Sequence, residues 1–176
     1  TPDVASLGAL AQYLSDVGVR TAEVQQLFEA ALAAPRGPAW HRAFAQYAGC
    51  FAVWCEAAGQ PQQARSLYEQ AFEAYPQCPY ALGNYPQLLL LENRPLDDVE
   101  AAFENALHVH PALVSVLLKY AAFLRHKRKS IDRAEDVLLR ALEVAPHQAD
   151  VLSTLAVFLH ATRPNDPRIE DLYARA

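Results

Sequence analysis

Val24-Gln-Gln-Leu-Phe-Glu-Ala-Ala31 and Ala64-Arg-Ser-Leu-Tyr-Glu-Gln-Ala71 are two copies of one eight-residue pattern. It reads small or β-branched, two variable, apolar, apolar, two variable, alanine. Three more copies follow: Val99-Glu-Ala-Ala-Phe-Glu-Asn-Ala106, Ala134-Glu-Asp-Val-Leu-Leu-Arg-Ala141 and Ile169-Glu-Asp-Leu-Tyr-Ala-Arg-Ala176. Their first positions are 40, 35, 35 and 35 residues apart. Three equal spacings in succession mark an internal repeat. Within each copy the apolar positions fall at i, i+3, i+4 and i+7, which is one face of a helix.

A second helical segment starts fourteen residues before each copy. It reads Leu10-Ala-Gln-Tyr-Leu14, Cys50-Phe-Ala-Val-Trp54, Tyr85-Pro-Gln-Leu-Leu89, Tyr120-Ala-Ala-Phe-Leu124 and Leu155-Ala-Val-Phe-Leu159. Ala11, Ala121 and Ala156 share one slot, where two helices can approach closely. In the second copy Ala52 fills that role, with a loop one residue shorter. Pro86 holds it in the third, where a proline either kinks the helix or marks its start.

The punctuation agrees with this reading. Pro76, Pro111 and Pro146 each lie five residues beyond a closing alanine, and Pro35 lies four beyond Ala31. Each ends a second helix and opens the next turn. Asp97-x-x-Glu100 and Asp132-x-x-Glu135 are patterned like capping boxes, and Asp166-Pro167 like an N-cap with proline in the first turn. The 40-residue first spacing places about five extra residues between Ala34 and Trp40 as a longer loop. Trp40 in that loop is expected to staple it rather than to stand exposed as a partner anchor.

Composition supports helices and excludes much else. Of 176 residues, 33 are alanine and 24 leucine, against 19 for valine, isoleucine and threonine together. That balance favours α over β structure. Hydrophobic residues make up 52% and the net charge is only −5, which argues for a folded chain. No apolar run is long enough to span a membrane, and no signal peptide is visible. Cys50, Cys55 and Cys78 fit no metal-ribbon or redox spacing and are expected to be small apolar residues in a reducing, intracellular compartment, with the cytoplasm the first expectation. The chain begins at Thr1, has no methionine, and its fifth copy breaks off at Ala176. It is therefore expected to be a fragment of a longer protein.

With these residues in view, the chain resembles the tetratricopeptide-repeat (TPR) family and its half-a-TPR (HAT) relative. Ala64, Tyr68, Ala71 and Pro76 match the second helix of a tetratricopeptide repeat, as do Phe103, Ala106 and Pro111. Tyr120-Ala-Ala-Phe-Leu124 with Leu139-Arg-Ala-Leu142 has the half-a-TPR flavour. The period is 35 rather than the family's usual 34, the usual first-helix glycine is alanine or proline, and the early tryptophan is missing. The resemblance implies an all-α, right-handed superhelical solenoid of antiparallel helix pairs. About five repeats are expected in one domain over 1–176: 3–36, 39–76, 77–111, 112–146 and a truncated 147–176.

First helices line the concave face of such a solenoid. The inward positions are Gly8, Gln12, Gly49, Val53, Gly83, Gln87, Leu90, Leu118, Ala122, Ser153 and Val157. Glycine recurs at one slot in three successive repeats, either as loose packing or as an opening for close approach by a partner backbone. Family members that hold acidic chaperone tails place Lys, Asn and Arg at such slots. Here Gly8, Gln12, Gly83, Gln87, Leu118 and Ala122 stand there, and no lysine precedes Lys119. The expected function is therefore a non-catalytic scaffold that holds a peptide or helix in a largely apolar groove within an intracellular assembly.

The alternative is an anionic contact. Residues 1–118 carry 5 basic and 12 acidic side chains (−7), and 119–176 carry 10 and 8 (+2). The basic excess centres on Arg125, Lys127, Arg128 and Lys129, at the end of a first helix and in the inner loop of the fourth repeat, where cations suit a helix C-terminus. Half-a-TPR and pentatricopeptide relatives serve RNA biology, which makes RNA binding or RNA processing the second reading. A pI near 5.6 and glycine at the repeated slot count against base reading. No cofactor, metal or small-molecule substrate is expected. The six histidines lack ligand spacing, and no P-loop, GxSxG or HExxH motif occurs.

Overall fold

Helices take up the sequence two to a repeat. The computed structural model describes residues 4–19, 21–33 and 40–176. Among these, the helices are α1 (Val4–Asp16), α2 (Ala22–Ala33), α3 (Trp40–Ala57), α4 (Pro61–Ala74), α5 (Pro79–Leu91), α6 (Leu96–Val109), α7 (Val114–Phe123), α8 (Ile131–Val144), α9 (Ala149–Thr162) and α10 (Arg168–Arg175). A π-helical turn, Leu124–Arg128, extends α7. No strand occurs among the described residues. None of the described helices is long and apolar enough to cross a membrane. The stretch 34–39, with Pro35, Gly37 and Pro38 of the expected long loop, lies outside the described residues.

The turns explain the period. Gly18 and Gly59 adopt φ of +85° and +73°, the left-handed conformation that closes a helix. The next amides reach back to the final turn, Val19 N–H to Leu14 O at 2.9 Å and Gln60 N–H to Cys55 O at 2.8 Å. Asn93 (φ 54°) does the same for α5, with Arg94 N–H on Leu89 O at 2.9 Å. At the other end of each repeat, Cys78, Leu113 and Gln148 donate to Tyr75, His110 and Ala145 at 3.0–3.2 Å. Pro76, Pro111 and Pro146 therefore occupy the second position of tight turns, where a fixed φ is an advantage.

The small-residue slots are the tightest points. Ala31, Ala71, Ala106 and Ala141 have no exposed surface, nor do Ala11, Ala52 and Ala156. Phe51, beside Ala52, stacks on Phe28 with ring centroids 5.1 Å apart. Cys50, Cys55 and Cys78 are buried free thiols. Burial pushes the first two up to about 12, so they stay protonated and behave as small apolar side chains.

The chain divides into two compact units, Thr1–Ala102 and Phe103–Ala176, with the division inside α6. In the first unit α3 is the hub, packing on α1, α2, α4 and α5. In the second, α7 packs on α8 and α9, and α9 on α8 and α10.

Four local expectations change. Trp40 is the first residue of α3, not a loop residue, and its ring lies 4.5 Å from Phe44 one helical turn on. Helix α5 starts at Pro79 and runs through the buried Pro86, which costs the Leu82 carbonyl its helical donor but fills the close-contact slot. The capping-box reading of Asp132 and Glu135 is replaced: the N-cap of α8 is Ser130, so Glu135 lies a full turn inside the helix and is buried. Tyr173, expected in the core by periodicity, is 47% exposed. Its counterparts Tyr68 and Phe103 are covered by Tyr85 and Tyr120 of the next first helix.

Asp166 stands one residue before the N-cap of α10, which is Pro167, and still holds the first helical amide. Its carboxylate accepts the Arg168 backbone N–H at 2.9 Å and two guanidinium N–H groups at 2.7 and 2.9 Å. The Arg168 side chain first, then its amide, hold the acid down to about 2. A depressed folded-state pKa means this contribution to α10 is present at neutral pH and is lost as pH falls through about 2. An NMR titration of the Asp166 carboxyl carbon is expected to show a midpoint near 2. A midpoint at the ordinary value of about 3.9 would remove this contact.

Candidate functional site

The repeated glycine slot does not form an open wall. An added Cβ at Gly8 would lie 2.4 Å from the Tyr47 ring, whose hydroxyl donates to the Ala5 carbonyl at 3.1 Å. At Gly49 it would meet the Tyr80 ring at 3.2 Å and the Ala81 backbone at 3.5 Å. The close approach that glycine permits is used by the next first helix of the same chain, α3 on α1 and α5 on α3. Gly83 is likewise buried in α5. Each covering tyrosine precedes the next repeat's glycine by two or three residues (Tyr47 and Gly49, Tyr80 and Gly83), a pairing readable in the sequence.

The other expected groove positions are accessible. In the first unit Gln12, Val53 and Leu90 are half-buried and Gln87 is exposed. Gln12 accepts a hydrogen bond from Gln46 at 3.4 Å. In the second unit Leu118 and Ser153 are half-buried, and Ala122 and Val157 are exposed.

Three of these residues converge. Ala122 on α7 and Ser153 and Val157 on α9 line one open cavity of about 240 Å³. Ala121, Leu138 and Phe158 supply buried apolar surface, Thr154 a hydroxyl, and Arg125 and His126 the polar end. The lining thus joins residues expected for an apolar groove to the first of those expected for an anionic contact. The site is built by the end of α7 and the middle of α9, with Leu138 of α8 behind them. Helix α7 brings Ala121 and Ala122 on its last turn, and the π-helical turn turns Arg125 and His126 to the same side. The added turn is offset by a shorter loop, residues 129–130 against 92–95 in the repeat before, so the 35-residue period survives. Lys129 closes the turn in the left-handed conformation (φ 58°), the role of Gly18 and Gly59, and Lys129 and Ser130 both donate to the Leu124 carbonyl.

Arg125 is half-buried, with its guanidinium carbon 5.6 Å from the centroid of Phe158. That stacking holds the cation against an apolar wall. Among the described residues no carboxylate pairs with it, and no acidic side chain lines the cavity. Lys127 and Lys129 are exposed on the same turn, and Arg128 is half-buried. Sequence reasoning put the basic run at a first-helix end and its inner loop but did not join it to the groove, because the π-helical turn that brings Arg125 to the cavity has no sequence signature. Among the described residues no group of three or more His, Cys, Asp or Glu could hold a metal ion.

No protein-family model matches this sequence, and no curated protein sequence matches it. Solved structures do. PilF of Pseudomonas aeruginosa superposes with a TM-score of 0.75 at 18% identity, over 98% of this chain and 75% of that one. MamA RS-1 matches with 0.62 at 12%, over 99% and 93%. YrrB, described as a TPR protein with an unusual peptide-binding site, matches with 0.56 at 14%, over 98% and 84%. At these identities the likeness concerns the fold.

Proposed function

We propose that this chain, which has the tetratricopeptide-repeat fold, is a non-catalytic protein-interaction module that holds a segment of a partner polypeptide along its first helices. The observation that carries this reading is the open cavity between α7 and α9. It is mainly apolar, lies where the repeat pattern places the inward face, and gathers Ala122, Ser153 and Val157. Val157 is 52% exposed at its rim, a large apolar side chain left in water. Apolar surface of this kind gains free energy when a partner covers it. The repeats on this reading run 3–36, 39–76, 77–111, 112–146 and 147–176. In the first unit Gln12, Val53, Gln87 and Leu90 offer further contact positions.

The test is site-specific photo-crosslinking in cells that make the protein. A photoreactive residue at Val157 is expected to trap polypeptide, and one at Asp136, exposed on α8, is not. The second reading, an RNA contact through Arg125, Lys127, Arg128 and Lys129, predicts crosslinks to RNA at positions 127 and 129 instead. RNA adducts there, with none to protein at 157, would reverse the ranking.

A further inference from the structure

We propose that the α7–α9 cavity takes one apolar side chain of the partner and that Arg125 holds an Asp or Glu next to that anchor. The inference rests on the reading of the chain as a polypeptide-binding module and names the chemistry of the segment it binds.

Size and lining define the anchor. About 240 Å³ is below the roughly 300–1,000 Å³ of small-molecule sites, and suits a single Leu- or Phe-sized side chain. Its walls are Ala122, Leu138, Val157 and Phe158, which offer contact but no directional bond.

Charge defines the neighbour. Arg125 is fixed over Phe158, so little side-chain entropy is lost when a carboxylate meets it. No carboxylate of the described residues neutralises it. A guanidinium beside a partly dry apolar wall gains more from an acid than one in open water. Lys127 and Lys129 on the same turn add to a locally positive field, in a segment (119–176) that is +2 where the rest of the chain is −7. The slots where the family places its acid-binding cations carry glycine, glutamine and apolar residues here. The cation is supplied instead by the end of α7. Nucleic acid fits the cavity less well. Phe158 is buried with Arg125 across its face, which leaves no ring face for a base to stack on.

The test uses the full chain and an array of acetylated, amidated nine-residue peptides on a Gly/Ser scaffold. The central residue is Leu, Phe, Val or Ala, and its neighbours are Glu, Gln or Lys. Fluorescence anisotropy is expected to show tightest binding for Leu or Phe flanked by Glu, and about tenfold weaker binding with Gln in place of Glu. Arg125→Gln is expected to erase the Glu-over-Gln difference and keep the Leu-over-Ala difference, with an unchanged circular-dichroism melt. Arg125→Lys is expected to retain part of the acid preference. Leu preference without acid preference would overturn the Arg125 pairing and leave the module reading standing. Binding of a single-stranded RNA ten-mer with no peptide bound would overturn both.

Discussion

Tyr68→Ala is expected to lower the stability of the first unit by about 3–5 kcal/mol, the usual cost of emptying a buried aromatic site. Tyr68 has no exposed surface, and among the described residues it is the largest fully buried side chain. Its ring meets Tyr85 edge-on at 5.7 Å and stacks beside Phe72 at 6.4 Å. Its hydroxyl donates to Glu56 at 2.8 Å. One residue thus ties α4 to the end of α3 and to α5, and the space it leaves cannot close without moving all three. Tyr68→Phe keeps the ring and loses one hydrogen bond, so it is expected to cost only about 1 kcal/mol. Equilibrium urea unfolding of the two variants measures the difference. Equal losses would mean that the hydroxyl, not the ring, carries the joint.

The helix pairs were legible because their period is set by steric facts that sequence records directly. A closing alanine is needed wherever helices touch, and proline at the second position of each inter-repeat turn is visible as such. The four fixed positions of the eight-residue pattern are the ones that pack, with Leu27 of α2 half-buried. Val24, Phe28 and Ala31 in α2, and Ala134, Val137, Leu138 and Ala141 in α8, are all buried. The site was less legible for two physical reasons. Glycine at a repeated slot has two opposite uses, and only the position of the Tyr47 and Tyr80 rings decides between them. The cavity depends on a π-helical turn, whose extra residue leaves no trace in the repeat spacing. Tyr173 was misread because periodicity gives a face but not what covers it.

The second position of the pattern looks variable in sequence, and it is where the expectation failed most usefully. In α4 it is Arg65, which donates to Glu92 beyond the last turn of α5, through Nε at 2.9 Å and a second guanidinium nitrogen. In α8 it is Glu135, which meets Arg163 at 2.7 Å just past the end of α9, and Arg168 at 2.9 Å. The signs are reversed but the joint is the same: a second helix pinned by an ion pair to the end of the next first helix. The sequence alone assigns Glu135 to a helix start, where its negative charge is worth about 0.3–1 kcal/mol against the dipole.

The structure assigns it a larger role, and Glu135→Lys separates the two. Glu135 is 7% exposed, so the variant would bury an ammonium beside two guanidinium groups. Leaving a buried charge unpaired costs about 3–5 kcal/mol, and repulsion adds to it, although Arg163 and Arg168 are partly in water and can turn away. A loss of about 3 kcal/mol or more in urea unfolding is expected. Glu135→Ala, which frees both arginines to hydrate, is expected to lose about 1–2 kcal/mol. If Glu135→Lys costs less than 1 kcal/mol, the residue acts only on the helix dipole, and α8 is held to α9 by its apolar face alone.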